Sequence, residues 1–218
     1  VTTLEVRGNF DDCQRMVKQA FLDPDLSGKL PLTSANSISL GRLIPQSFYY
    51  IWARSQFPQE IPFYFCVPSG NFGNLTAGVL ASIWGLRVDR FIAATNANDV
   101  VPEYLSGGTF TPRPSLSTRS NAMDVGDPSN FERLASLLPT HDRMKKLIHP
   151  EVVTDKETLK AIKEYRADLG MFIDPHTAVG VTAAERFRKR VNKGGVLVAL
   201  STAHPGKFLE TVREAAGE

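Results

Sequence analysis

Residues 62–97, PFYFCVPSGNFGNLTAGVLASIWGLRVDRFIAATNA, decide how this chain folds. PFYFCVP is a short apolar run dominated by aromatic residues, the composition of a strand buried on both faces. A glycine-bearing turn follows, then LTAGVLASIWGL, long enough for a helix, then RFIAATNA as a second strand. Strand, helix and strand in this order make a βαβ crossover, which sets the two strands parallel.

The same alternation extends outward. Upstream, residues 1–6 read as a strand, and from Asp11 the residues Cys13, Met16, Val17, Ala20 and Phe21 recur at helical spacing, predicting a helix that buries this face. Residues 30–32 read as another strand. A helix starting near Ser39 carries the stripe Leu40, Leu43, Ile44, Phe48 and Ile51, with Pro45 early enough to be tolerated. Downstream, residues 100–149 are richer in Pro, Ser, Gly and Asn and hold no period, which predicts loops and short helices. Thr154 and Glu157 form a capping-box pair opening a helix through Leu159, Ile162 and Leu169. MFID at 171–174, a helix over 177–191, the strand GGVLVALST at 194–202 and a last helix from Phe208 to Ala216 complete the order. The fold class is therefore α/β: an open, mostly parallel sheet with helices on both faces.

Composition narrows the function. Across 218 residues, 25 Lys and Arg stand against 23 Asp and Glu, so the charge gives no footprint for nucleic acid. Hydrophobic residues at 42% and charged residues at 22% exclude a disordered or fibrous chain. No apolar run approaches the ~20 residues of a membrane helix. Cys13 and Cys66 are isolated, which argues against a disulfide framework or zinc ribbon and fits a reducing cytoplasm. The opening VTTLEVRGNF lacks Met and a signal-peptide pattern and reads as a strand entered midway, so a truncated chain is expected.

Two strand-to-helix junctions carry anion-binding chemistry. In Ser69-Gly70-Asn71-Phe72-Gly73-Asn74, the helix that follows presents unpaired backbone N–H groups and the positive end of its dipole, and Gly70 and Gly73 let the backbone close around a phosphate. A plain turn is the alternative. No Gly-Lys-Ser/Thr marks a P-loop, and the glycines miss the G-x-G-x-x-G spacing, although Asp89 lies near the distance of a ribose-binding acid, so dinucleotide binding stays open. At the second junction, Asn36, Ser37 and Ser39 are capping residue types, while Arg42 in the first turn opposes the helix dipole. An anion held by Arg42 and the cap donors would relieve that conflict; a solvated Arg is the alternative. Asp174-Pro175-His176-Thr177 and Ser201-Thr202-Ala203-His204 also fall at predicted carboxyl ends of strands, where ligands bind. His176 and His204 read as caps or hydrogen-bonded structural residues as readily as acid–base groups, and no metal spacing or nucleophile elbow is present.

The segments GNFDDCQRMVKQAF, LTSANSISLGRL, VPSGNFGNLTAGVLA, RFIAATNANDVVPEYL, SNAMDVGDPSNFERL, DPHTAVG and LSTAHPGKF together resemble, in order and nearly end to end, the later part of a threonine synthase. Gly206 departs from the Ala frequent there. The resemblance implies a fold-type II pyridoxal 5'-phosphate (PLP) enzyme, tryptophan synthase β-like and here incomplete, which converts O-phosphohomoserine and water to threonine and phosphate. It implies that Ser69, Gly70, Asn71, Phe72, Gly73 and Asn74 cradle the cofactor phosphate, that the Thr202 hydroxyl meets the pyridine nitrogen, and that Asn36, Ser37 and Arg42 hold the substrate phosphate. It places the Schiff-base Lys in an upstream Phe-Lys-Asp segment absent from these residues, Lys207 being read as a surface or packing residue, so the chain alone is expected to be inactive. Residues 1–57 are expected to complete a smaller domain begun upstream, exposing apolar surface, and 58–218 to form the larger cofactor-bearing domain. A non-catalytic nucleotide- or phosphate-binding module is the competing reading, and a structural domain whose glycine loop binds nothing is a third.

Overall fold

The computed structural model describes residues 2–191 and 194–217. Its sheet has four strands, β1 (Phe63–Pro68), β2 (Arg90–Thr95), β3 (Ile148–Val152) and β4 (Val196–Ala199). All pairings are parallel, in the order β3-β2-β1-β4. The helices are α1 (Phe10–Leu22), α2 (Pro24–Ser27), α3 (Leu40–Leu43), α4 (Ser47–Ser55), α5 (Gly73–Ile83), α6 (Val100–Gly107), α7 (Phe131–Leu137), α8 (His141–Leu147), α9 (Asp155–Leu169), α10 (Pro175–Val191) and α11 (Leu209–Ala216).

The pleat of β1 and β2 sends alternate side chains into two apolar layers. Phe63, Phe65, Val67, Phe91 and Ala93 pack with Leu43, Tyr50, Leu75 and Val79 from α3, α4 and α5. Tyr64, Cys66, Ile92 and Ala94 pack with Val179, Ala183 and Phe187 of α10 on the opposite face. Burial on both sides explains why β1 reads as a continuous apolar run. Helix α10 lies so close to β1 that a Cβ on Gly180 would stand 2.9 Å from Pro68 Cγ.

From β1 the chain steps to β2 and β3, then returns to place β4 on the other side of β1. The direction of winding reverses between β1 and β4. Loops leaving adjacent strands at such a reversal diverge and open a crevice at the carboxyl ends. The turn after β1 and the residues after β4 therefore border one crevice.

Several local expectations fail for physical reasons. Residues 2–6 form no strand, Val1 lying outside the described residues, because no strand pairs with them. Residues 30–32 are irregular, with Pro31 unable to donate to a ladder. MFID forms no strand but leads into α10, with Met171 and Phe172 exposed and Ile173 and Asp174 buried. The third strand is instead β3, hidden in sequence by Pro150 and tolerated because β3 is a sheet edge. Pro45 lies in a 3-10 turn, Ile44–Gln46, that divides α3 from α4. In that region the buried face is Leu43, Ser47, Tyr50 and Arg54, whereas Leu40, Ile44, Phe48 and Ile51 of the expected stripe face outward. In α1 only Gln14 is buried, and Met16, Val17 and Phe21 are exposed.

Candidate active site

The turn after β1 is held open by its own geometry. Phe72 adopts φ 60°, the one left-handed non-glycine residue among those described, while its ring is buried in the core. That conformation costs free energy and persists because the surroundings fix it. The Phe72 carbonyl accepts from Thr76 N (2.9 Å) and Thr76 Oγ1 (2.7 Å), starting the hydrogen bonding of α5. The backbone amides from Gly70 to Leu75 have no acceptor among the described residues, so a run of N–H donors is free at the positive end of α5. A Cβ on Gly70 would meet Met123 Cα at 2.6 Å, and one on Gly73 would meet Ser37 Cβ at 2.8 Å. Only glycine lets these neighbours close on the loop. Ser69, buried, donates its hydroxyl to Val67 O (2.8 Å).

Asn74 opens on a cavity of about 650 Å³, a volume suited to a cofactor-sized ligand. Arg42, Gln46, Tyr49, Ser201 and Thr202 also line it. The loop after β1, the Arg42 helix and the residues after β4 thus converge, as the winding reversal requires. Asn74 Oδ1 and its carbonyl are both fixed by the Tyr50 hydroxyl.

Asn36 and Ser37 sit behind this wall. Ser37 Oγ donates to Asn36 Oδ1 (3.0 Å) and accepts from Asn71 Nδ2 (2.8 Å) and Asn130 Nδ2 (3.0 Å). Asn71 Oδ1 accepts from Ser129 N (2.7 Å) and Ser129 Oγ (3.0 Å). The Asn71 and Ser37 side chains are therefore committed to joining two loops, leaving their backbone amides for a ligand. Ser39 is the N-cap of α3 but makes no side-chain cap bond. Sequence reading did not single out Ser129, Asn130 or Met123 as site residues; only tertiary placement brings them to the glycine loop, and no local spacing signals it.

Behind Thr202 lies a buried polar cluster. Asp174 Oδ1 accepts from His176 N (2.9 Å) and Thr177 N (3.3 Å), an N-cap arrangement for α10, and from His176 Nδ1 (2.8 Å). Thr177 Oγ1 donates to Asp174 Oδ2 and lies 3.0 Å from Ser201 Oγ, tying the α10 start to the residue before Thr202. Burial alone would raise the Asp174 pKa, but the bonds from His176 and Thr177 outweigh it and hold the carboxyl below its ordinary value. His176 Nε2 accepts from Ala122 N (3.2 Å), which leaves the ring proton on Nδ1 and makes His176 a structural link to the Met123 loop. His204 caps the following turn by accepting from Gly206 N (3.1 Å), and Lys207 is exposed. Asp124, beside Met123, accepts from Asn96 Nδ2 (2.9 Å), Asn98 Nδ2 (3.1 Å) and Thr118 Oγ1 (2.6 Å), yet burial still pushes its carboxyl above the usual range.

No cluster of His, Cys, Asp and Glu among the described residues could hold a metal, and none of their helices is long and apolar enough to cross a membrane. Cys66 donates its thiol to Gly180 O, and burial raises its pKa, so it is inert packing.

The parallel sheet, with its winding reversal between the glycine loop and the residues after β4, is of the fold-type II PLP class, to which similar solved structures belong. Within the class the chain belongs to the threonine synthase family. A family model described as "Threonine synthase, C-terminal" matches residues 177–218. The threonine synthase of Serratia marcescens is 44% identical over 220 residues, covering 100% of this chain and 50% of that protein. The crystal structure of threonine synthase from Escherichia coli superposes with a TM-score of 0.90 at 44% identity, covering 99% of this chain and 50% of that one. PLP-bound threonine synthase from Brucella melitensis gives 0.86 at 34% identity, covering 100% of this chain and 52% of that one. The chain spans about half the length of the relatives it matches.

Proposed function

We propose that the protein to which this chain belongs is a cytoplasmic, PLP-dependent threonine synthase converting O-phosphohomoserine and water to threonine and inorganic phosphate. The observation that carries the reading is the convergence of the glycine loop, Arg42 and Thr202 on one cavity beside unpaired backbone amides. The residues fit the cofactor: a Cβ at Gly70 or Gly73 would strike Met123 or Ser37, so only glycine lets this backbone pack closely while its amides stay unpaired.

In this reading the amides from Gly70 to Asn74 bind the cofactor phosphate through charge-assisted hydrogen bonds and the α5 dipole. The Thr202 hydroxyl orients the pyridine nitrogen, and a neutral partner there leaves the nitrogen unprotonated. When bound, the cofactor supplies the electron withdrawal that eases removal of protons from the substrate's Cα and Cβ. Arg42, with Asn36 and Ser37, holds the substrate phosphate and offsets its charge as it leaves Cγ; Cγ then takes up a proton, water adds at Cβ and a proton returns to Cα. No lysine among the described residues lines the cavity; this reading takes the covalent anchor from outside them and the chain alone as inactive. Residues 1–57 belong in this proposal to the junction with a smaller domain, and 58–218 to the larger one.

The test is made on the full-length protein. Titration with PLP should produce the visible absorption of the bound cofactor, and O-phosphohomoserine should yield threonine. Arg42→Ala should weaken substrate binding by about tenfold or more, a loss near 1.4 kcal/mol, while PLP binding stays within about threefold. Equal loss of both removes Arg42 from the substrate role. Preferential NAD binding at the glycine loop would overturn the reading.

A further inference from the structure

We infer that Arg133 is the positioning residue for the substrate-phosphate site, setting the turn from Ser37 to Arg42 against the glycine loop; this rests on the reading that the turn holds the substrate phosphate. Arg133 comes from α7, far downstream of that turn. Its Nη1 donates to Ser37 O (2.6 Å) and Asn130 Oδ1 (2.7 Å), and its Nη2 donates to Ile38 O. Two successive carbonyls are thus gripped by one planar guanidinium, a geometry that a single ammonium cannot reproduce.

The grip dictates which way the amides face. In a trans peptide the carbonyl of one residue and the N–H of the next point to opposite sides. With the Ser37 and Ile38 carbonyls drawn toward Arg133, the Ile38 and Ser39 amides turn away from it. Ser39 N is taken by Asn36 O (3.0 Å), while the Ile38 amide has no acceptor among the described residues. Asn130 extends the grip to the glycine loop, donating through Nδ2 to Ser37 Oγ (3.0 Å) and Asn71 O (3.0 Å). No carboxylate among the described residues pairs with Arg133, so its charge is not cancelled locally and adds a positive field where the turn is to receive a dianion.

The same bonds would be found if Arg133 merely braced two loops, so the test must separate the roles. Full-length Arg133→Lys and Arg133→Gln are compared with wild type in calorimetric titration of the PLP-saturated protein with inorganic phosphate, in PLP titration of the apoprotein, and in steady-state kinetics. Phosphate binding of Arg133→Lys should weaken by about tenfold, with PLP affinity within about threefold and KM rising more than kcat falls. Arg133→Gln, which loses the charge as well, should bind phosphate more weakly still. Parallel loss of phosphate and PLP, no change in either, or failure of both variants to fold would assign Arg133 to bracing alone and overturn the inference. A wild type that makes threonine beside an unaltered Lys variant defeats this inference only; a wild type that makes none defeats the reading beneath it.

Discussion

At the scale of single residues, the site depends on what is missing from side chains as much as on what is present. Gly70 lies against the Met123 backbone, held in turn by the Ala122–His176 bond and the Asp124 cluster. A methyl there can be admitted only by moving backbone. Gly70→Ala is therefore expected to weaken PLP binding to the full-length protein by about tenfold or more, read from the visible absorption on titration. An unchanged midpoint would show that the loop yields without loss. The close packing at Gly70 and Gly73 was legible in sequence because a tight strand-to-helix turn needs residues without a side chain, whereas Thr202 was picked out only by the family resemblance and its place after a strand. Ser37 was legible as a polar residue but not as a bridge, since its bonds reach 34 residues to Asn71 and 93 to Asn130. Arg133 gave no signal: an Arg in a short amphipathic helix reads as solvated.

Elements show where local periodicity fails. The parallel pairing follows from one βαβ unit and the alternation around it, but β3 carries Pro150 and Glu151 and has no apolar rhythm. Helix α4 shows the converse, for its apolar stripe points outward and its inner face buries Arg54. That guanidinium donates to the Phe57, Pro58, Gln59 and Arg87 carbonyls and stacks on Phe63. Arg54→Met removes the donor to all four carbonyls from a buried side chain and should cost about 2–4 kcal/mol of unfolding free energy, measured by urea denaturation. A cost below ~0.5 kcal/mol would mean that water reaches them. At the start of α9, the Glu157 carboxyl is lowered to about 2, first by the Thr154 backbone bond and then by the Thr154 hydroxyl and Arg186. Because its folded pKa is below its unfolded value, its stabilisation is complete above the unfolded pKa and is lost as pH falls toward 2. The pair is over a third exposed on the Glu side, so solvent screening limits the effect. Glu157→Gln should lower stability by about 1 kcal/mol or less at pH 7, with the gap closing between pH 4.5 and about 2. A gap that persists to pH 2 would assign the effect to packing.

Across the whole molecule, polar and apolar faces are unevenly finished. Strands β1 and β2 are enclosed on both sides, whereas Phe48 is 61% and Trp52 70% exposed, with Tyr49 and Ile51 of the same helix also exposed. On α1, Met16 and Phe21 face outward while Gln14, buried, has no hydrogen-bond partner for either amide atom. Apolar side chains exposed side by side on α4 are what a face covered by another polypeptide surface would present, and the prediction is that this one is covered. In the proposal that a smaller domain ends near residue 57, this face lies on that domain's side, although Leu43 and Tyr50 share the core of the larger sheet. If the face is meant to be covered, the chain expressed alone should self-associate, and Phe48→Ser with Trp52→Ser should reduce that association without unfolding it, since neither ring enters the core. Sedimentation equilibrium across a concentration series measures this directly. In the full-length protein the same pair should lower the unfolding midpoint, because the rings would then lose a partner. A chain that stays monomeric at high concentration and binds no hydrophobic dye, together with an unaltered full-length midpoint, would leave these rings as ordinary exposed residues.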